Sequence, residues 1–259
     1  MSNYAALLCV EVIMTTTYRW NTNAAAEAFD ACAPAIHPFY VAVQDEILRL
    51  LGDEGRPPRL VVDLGGGPGR LIERVLETFP SARGVVMDQS PAFLALAERR
   101  LARFGERASF IEQRLQDDWR AALPEPPVAL VSMSAIHHLE PSEKQALYRK
   151  CFETLAPGGV LLNGDEFRPE SDAEYLKMLN WWSAHKDVET AAGRIPASFG
   201  PVFEAWHERN ITRFGEPKQS GDDCLETTAT QEQYLRSIGF GDVHIAWSEK
   251  LWGVLVGHR

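Results

Sequence analysis

The chain has 259 residues, is 45% hydrophobic and 24% charged, and carries a net charge of -10. Those values describe a globular protein with room for a sizeable core and exclude disordered and fibrous classes. The acid excess argues against a nucleic-acid surface, which gathers Lys and Arg.

The first apolar run, YAALLCVEVIM at residues 4 to 14, contains Glu11 and lacks a basic leader. It reads as an extension over residues 1 to 13 rather than a secretory signal. No run approaches the about 20 apolar residues of a membrane span. Cys9, Cys32, Cys151 and Cys224 stand far apart with no CxxC pair. That is the usage of a reduced, cytoplasmic protein, not of a disulfide framework or zinc site.

From residue 58 to 167, short apolar runs alternate with amphipathic stretches, the rhythm of a parallel α/β sheet. RLVVDL (59 to 64) reads as a buried strand, followed by a helix with Leu71, Ile72, Val75, Leu76 and Phe79 on one face and Pro80 at its end. GVVMD (84 to 88) is the second strand. Ser90 caps the next helix with Pro91 at its first position. ASFIEQ (108 to 113) and VALVSMS (128 to 134) are strands three and four, and PSEKQALYRKCFETL (141 to 155) is a helix stopped by Ala156-Pro157-Gly158-Gly159. VLLNGDEF (160 to 167) is the fifth strand.

The rhythm then breaks. Residues 168 to 226 carry Trp181, Trp182 and Trp206 and the polar loop GEPKQSGDD, and read as an inserted cap with helices over roughly 171 to 187 and 199 to 211. The core resumes over 227 to 259, with a helix capped by Thr230 and ended at Gly239. Two adjacent strands follow, joined near Ser248 to Lys250, so one of them runs antiparallel.

LVVDLGGGPGRL (60 to 71) is the stretch that carries chemistry. A dinucleotide fingerprint aligned on Gly65 and Gly67 needs a third glycine where Arg70 stands, and no Lys-Ser or Lys-Thr follows to make a phosphate loop. Asp63 at the strand end would repel a pyrophosphate and attract a cation. Asp88 ends the second strand, where an acid accepts hydrogen bonds from ribose hydroxyls. The demands are those of a nucleoside with a cationic arm and no phosphates, which S-adenosylmethionine meets.

DLGGGPG (63 to 69), VVMDQS (85 to 90), VSMSAIHHL (131 to 139) and LAPGGVLL (155 to 162) together resemble the class I S-adenosylmethionine-dependent methyltransferases of small molecules. The resemblance implies that Asp63 lies by the methionine ammonium and that Gly65, Gly66 and Gly67 pack against the cofactor. It places Asp88 and Gln89 at the ribose, Ser134 near the ammonium and sulfonium, and Phe29, with Asp30, over the cofactor. Gln113 and Arg114 stand where the family often has a Gly-Asp for the adenine, so a Gln amide or Asp117 would have to serve.

Several readings stay open at this level. His137 and His138 are candidates for a general base or for packing a strand-to-helix turn. Asp165 and Glu166 leave the fifth strand at the crevice rim, as catalytic acids or as solvated groups. Trp181 and Trp182 are lid or core. His185, His207, Arg209 and Arg213 are candidate contacts for an anionic substrate. His37, His244 and His258 show no metal-ligand spacing, and no metal is expected.

The expected architecture is a single Rossmann-like α/β domain with a seven-stranded, mostly parallel sheet, a C-terminal antiparallel hairpin strand, helices on both faces and a helical cap insertion. Residues 1 to 57 supply an N-terminal extension and capping helices. The expected activity is methyl transfer to an O, N or C nucleophile of a small molecule, with no nucleic-acid or membrane partner and with monomer and homodimer both open. A silent cofactor-binding regulator and a nicotinamide oxidoreductase are the alternatives.

Overall fold

Leu60–Leu64 forms β1, buried at every residue, in a computed structural model that describes residues 22–55 and 57–259. The extension read over residues 1 to 13 lies outside the described residues. Around β1 a seven-stranded sheet is built in the order β3-β2-β1-β4-β5-β7-β6 from β2 (Arg83–Asp88), β3 (Ala108–Glu112), β4 (Ala129–Met133), β5 (Val160–Glu166), β6 (Gly241–Glu249) and β7 (Trp252–His258). β1 to β5 pair in parallel, whereas β7 runs antiparallel to both β5 and β6. The strand order reverses between β1 and β4, and ligands of open α/β sheets bind outside the carboxyl ends of the strands at such a point.

The chain reaches both faces because successive strand residues point to opposite sides. Leu60, Val62 and Leu64 pack with α5 (Pro141–Thr154) and α8 (Thr228–Ile238) through Leu147, Cys151 and Leu235. Val61 faces the other side, toward α2 (Tyr40–Asp53), α3 (Arg70–Thr78) and α4 (Pro91–Leu101), where Val43, Ile72 and Ala97 are buried. α1 (Asn23–Ile36) lies against α4 and against the helix Asp172–Ala191 that follows β5. Ser90 caps α4 with Pro91 at its first position, as its sequence predicts. α8 begins earlier than expected: Thr227, not Thr230, is its cap, and its hydroxyl accepts from the Thr230 N–H.

The cap between β5 and α8 holds α6 (Asp172–Ala191) and α7 (Gly200–His207), which runs into a wide turn at Glu208–Thr212. Trp182 of α6 anchors it. Its indole N–H donates to the Ile36 carbonyl at 2.8 Å, and its ring meets Trp206 and Trp252 edge-on at 5.0 and 4.9 Å. The cap and α1 thereby close over the carboxyl ends of the strands.

Candidate active site

A cavity of about 830 Å³ opens there, lined by Asp63, the glycine loop and Asp88 together with residues of the cap. The glycine loop is shaped by its neighbours. Gly65 has φ +71, and a Cβ there would stand 2.6 Å from the Ala135 methyl. A Cβ on Gly66 would stand 2.8 Å from Asp63 Oδ2, so the backbone lies directly against the carboxylate.

Asp63 is 1% exposed, and its Oδ1 is a buried oxygen without a hydrogen-bond partner among the described residues. Burial, followed by the charge of Asp88, pushes its pKa up to about 8. Asp88 accepts from the Gly67 N–H at 2.9 Å and the Ser90 N–H at 2.8 Å. Burial raises its pKa to about 6, although those backbone donors pull the other way. Two carboxylates lifted toward neutrality in one cavity favour a cation among them.

Gln89, Gln113, Arg114, Ser134 and Phe29 also line the cavity. Ser134 takes φ +50, a conformation that a non-glycine residue holds only under constraint. The constraint is its N–H bonded to the Gly164 carbonyl and its hydroxyl donating to Glu166 at 3.0 Å. Asp117 does not reach inward, because it accepts from the Arg114 N–H. Arg70, which breaks the dinucleotide spacing, reaches Asp30 of α1 at 2.7 Å, and Arg100 grips the same carboxylate at 2.7 Å. These pairs tie α1, and with it Phe29, to the helix that follows the glycine loop.

His137 and His138 both line the cavity, but Asp165 and Glu166 are not the solvated rim acids that their position at a strand end suggests. They are 0% and 1% exposed and stand behind His137. His137 Nδ1 lies 2.6 Å from Asp165 Oδ1 and 2.8 Å from Glu166 Oε2, and its backbone N–H donates to Asp165 Oδ2. Glu166 Oε1 lies 3.2 Å from His37 Nδ1. Burial opposes a charge on His137, yet Glu166 and Asp165 outweigh it and hold the imidazole well above its ordinary pKa. Burial works upward on Glu166 as well, and the His137 charge overcomes it, so Glu166 stays well below the usual carboxylate range. Asp165 is raised by burial. With Nδ1 occupied, His137 turns Nε2 outward, 3.9 Å from Asp223 Oδ1.

Asp223 is a site residue that sequence reasoning missed. It comes from the cap loop to within 3.5 Å of His138 Nδ1, and Asn210 donates to its other oxygen at 2.7 Å. His137, His138 and Asp223 bring ligand-type atoms within 4.8 Å of one another, as do His137, Asp165 and Glu166. In the second group the imidazole sits between the two carboxylates, hydrogen-bonded to Asp165 and ion-paired with Glu166. Of the four cap cations expected near an anionic substrate, Arg209 lines the cavity. His185 bonds the Ala35 carbonyl, Arg213 pairs with Glu216, and His207 meets Thr212 at 3.4 Å. Trp182 walls the cavity, whereas Trp181 points away to stack on Phe39 and is 37% exposed.

Residues 61–159 match a family described as "Methyltransferase domain". Over those residues, with the sheet order and the glycine loop, the chain is similar to the class I S-adenosylmethionine-dependent methyltransferases. The 23S rRNA (guanine(748)-N(1))-methyltransferase of Streptomyces fradiae is 32% identical over 150 residues, covering 57% of this chain and 46% of that one. The trans-aconitate 2-methyltransferase of Methylobacterium nodulans is 36% identical over 104 residues, 40% of this chain and 37% of that one. The chain therefore spans less than half the length of these two relatives. An O-methyltransferase family protein from Burkholderia thailandensis shares the fold with a TM-score of 0.64 at 19% identity, over 96% of this chain and 66% of that one. Human N-acetylserotonin methyltransferase does so with a TM-score of 0.62 at 16% identity, over 100% and 63%.

The residues fit S-adenosylmethionine. The orphaned oxygen of Asp63 suits an ammonium, the glycines leave room for backbone contact, and Asp88 keeps acceptor capacity for a ribose after its two backbone bonds. Among the described residues no helix is long and apolar enough to cross a membrane.

Proposed function

We propose that the protein methylates a nucleophilic atom, in the first place a hydroxyl oxygen, of a small molecule held beneath the cap. One observation carries this reading. The buried Asp63 carboxylate, one oxygen of which has no hydrogen-bond partner among the described residues, lines the same cavity as His137, whose Nε2 is free of the carboxylates behind the ring. S-adenosylmethionine supplies the methyl group when bound. Asp63 would hold its ammonium, Asp88 with Gln89 its ribose, and Gln113 with Arg114 the adenine edge. Phe29 covers the cavity from α1.

His137 performs the proton work. Its Nδ1–H is engaged by Asp165 and Glu166, which fixes the tautomer and leaves Nε2 to accept a proton from the acceptor. The two carboxylates stabilise the imidazolium so formed, which assigns Glu166 to positioning rather than contact. His138 lies beside it, ring centroids 4.0 Å apart, as a wall of the same pocket. The cap excludes water and aligns acceptor and cofactor, the main task for a displacement in which charge is lost.

A cavity of this volume, roofed by α1 and the cap, suits a small acceptor, as in the relative that methylates trans-aconitate. An RNA base, the acceptor of the Streptomyces relative, would need the roof to open. The test is calorimetry with S-adenosylhomocysteine and NADH, followed by transfer of labelled methyl from S-adenosylmethionine across a library of phenols, acids, amines and RNA. Binding of NADH, or no binding of S-adenosylhomocysteine, would overturn the reading. Nucleoside binding without turnover across the whole library would favour a silent regulator.

A further inference from the structure

Lys186 is a lysine with nothing to hold. It sits on α6 four residues after Trp182, on the same helix face, and is 3% exposed. Its Nζ stands 3.0 Å from the centre of the Trp206 ring, 4.9 Å from that of Trp182 and 5.1 Å from that of Phe203. Three aromatic rings thus surround a buried ammonium. No hydrogen bond or ion pair reaches its three N–H donors among the described residues. Burial lowers its pKa to about 7, against the smaller opposing pull of Asp223 and Asp187.

Lys186 lines the cavity together with Phe199, Val202, Phe203 and Trp206, and the same cavity is lined by Asp63 and Asp88. Aromatic rings stabilise a cation in part but satisfy none of its donors in the plane of a hydrogen bond. Donors that face the cavity in this way are placed to pair with an acceptor that enters with the ligand.

We propose that Lys186 is the specificity-determining residue of the acceptor pocket, and that the acceptor is a small planar molecule bearing a carboxylate. The carboxylate seats on the Lys186 ammonium while the flat body lies against Trp182, Trp206 and Phe199. The nucleophilic atom then faces His137, whose neighbour Asp223 is near enough for its charge to act on Lys186. This rests on the methyltransferase reading for the identity of the pocket, but not for its chemistry.

The test uses the full chain and paired probes: 4-hydroxybenzoate, 4-hydroxycinnamate and 6-hydroxy-2-naphthoate, each against its primary amide. Binding is read by tryptophan fluorescence, with and without saturating S-adenosylhomocysteine. In the wild type at least one carboxylate is expected to bind about 10-fold or more tighter than its amide, the scale of a charge-assisted hydrogen bond. Lys186→Met should abolish that preference and Lys186→Arg should keep much of it, with folding of each checked by thermal melting. Equal binding of acid and amide in every pair, or a preference that survives Lys186→Met, overturns the proposal. Should Lys186→Met not fold, the wild-type comparison and Lys186→Gln decide it. Failure to bind S-adenosylhomocysteine sinks the methyltransferase reading alone, because the acid-to-amide ratio is measured without it.

Discussion

Asp63→Asn should make the empty protein more stable and the protein nearly unable to take its cofactor. The carboxyl is buried, one oxygen has no partner, and burial together with Asp88 lifts its pKa from 3.8 to about 8. Below pH 3.8 the folded and unfolded chains both hold the proton, so the group costs nothing on this account. Between 3.8 and 8 folding takes up a proton, and stability falls as pH rises. At pH 7 that linkage amounts to ~4 kcal/mol, at about 1.4 kcal/mol per pH unit, and it is an upper bound because the cavity admits water. Asparagine carries no charge in either state but must place its amide, which takes back about 1 to 2 kcal/mol. The expected net gain is at most about 2 to 3 kcal/mol, a rise of at most about 4 to 12 °C in Tm for a chain of this size. Thermal melts of both proteins at pH 4, 6 and 7.5 measure it, and the difference should grow with pH. Calorimetry at pH 7.5 should meanwhile show S-adenosylhomocysteine bound at least about tenfold more weakly by the variant. A Tm difference independent of pH, or wild-type affinity in the variant, would refute the reasoning.

Three other expectations follow from the same geometry. Because Glu166 and Asp165 hold His137 protonated to an unusually high pH, kcat/KM for a hydroxyl acceptor should rise as pH increases through that raised pKa. Glu166→Gln should move the rise to lower pH, and His137→Asn should lower kcat about 100-fold or more; an unmoved profile removes the carboxylate–imidazole pair from the mechanism. Gly65→Ala, with φ +71 and a Cβ 2.6 Å from Ala135, should cost about 2 to 4 kcal/mol in urea unfolding, and a change under 0.5 kcal/mol would contradict the crowding. Asp30→Ala removes the carboxylate that Arg70 and Arg100 share and should speed hydrogen exchange along α1 while weakening S-adenosylhomocysteine several-fold, whereas unchanged exchange would mean these ion pairs do not hold the roof.

The glycine-loop side of the cavity was legible because its residues are close in sequence. Asp63, the glycines and Gly69 follow one strand, Asp88 ends the next, and a parallel strand pair brings Val86 beside Asp63 without further information. The end of α3 and the start of α4 were legible for a similar reason: Pro80 and Ser90-Pro91 act on neighbouring backbone only. Arg70 was read correctly as the residue that defeats a dinucleotide loop. Its actual work, an ion pair to Asp30 across forty positions of sequence, has no periodic signature.

The acceptor half was illegible because its residues meet only through the cap. α6 shows no single apolar stripe, so period alone could not say which of Trp181 and Trp182 faces inward; adjacent helical residues point about 100° apart, and only one can. Lys186 reads on paper as an ordinary solvated lysine and becomes a buried one only because Trp206 and Phe203 arrive from α7. Asp165 and Glu166 look exposed at a strand end, yet His37 from the α1–α2 turn and His137 from the β4 turn cover them. Local sequence therefore supplies the carboxylates of Asp63 and Asp88, and long-range packing supplies the ammonium of Lys186 to the same cavity. On the proposed reading, the acceptor between them is nucleophilic at one end and anionic at the other.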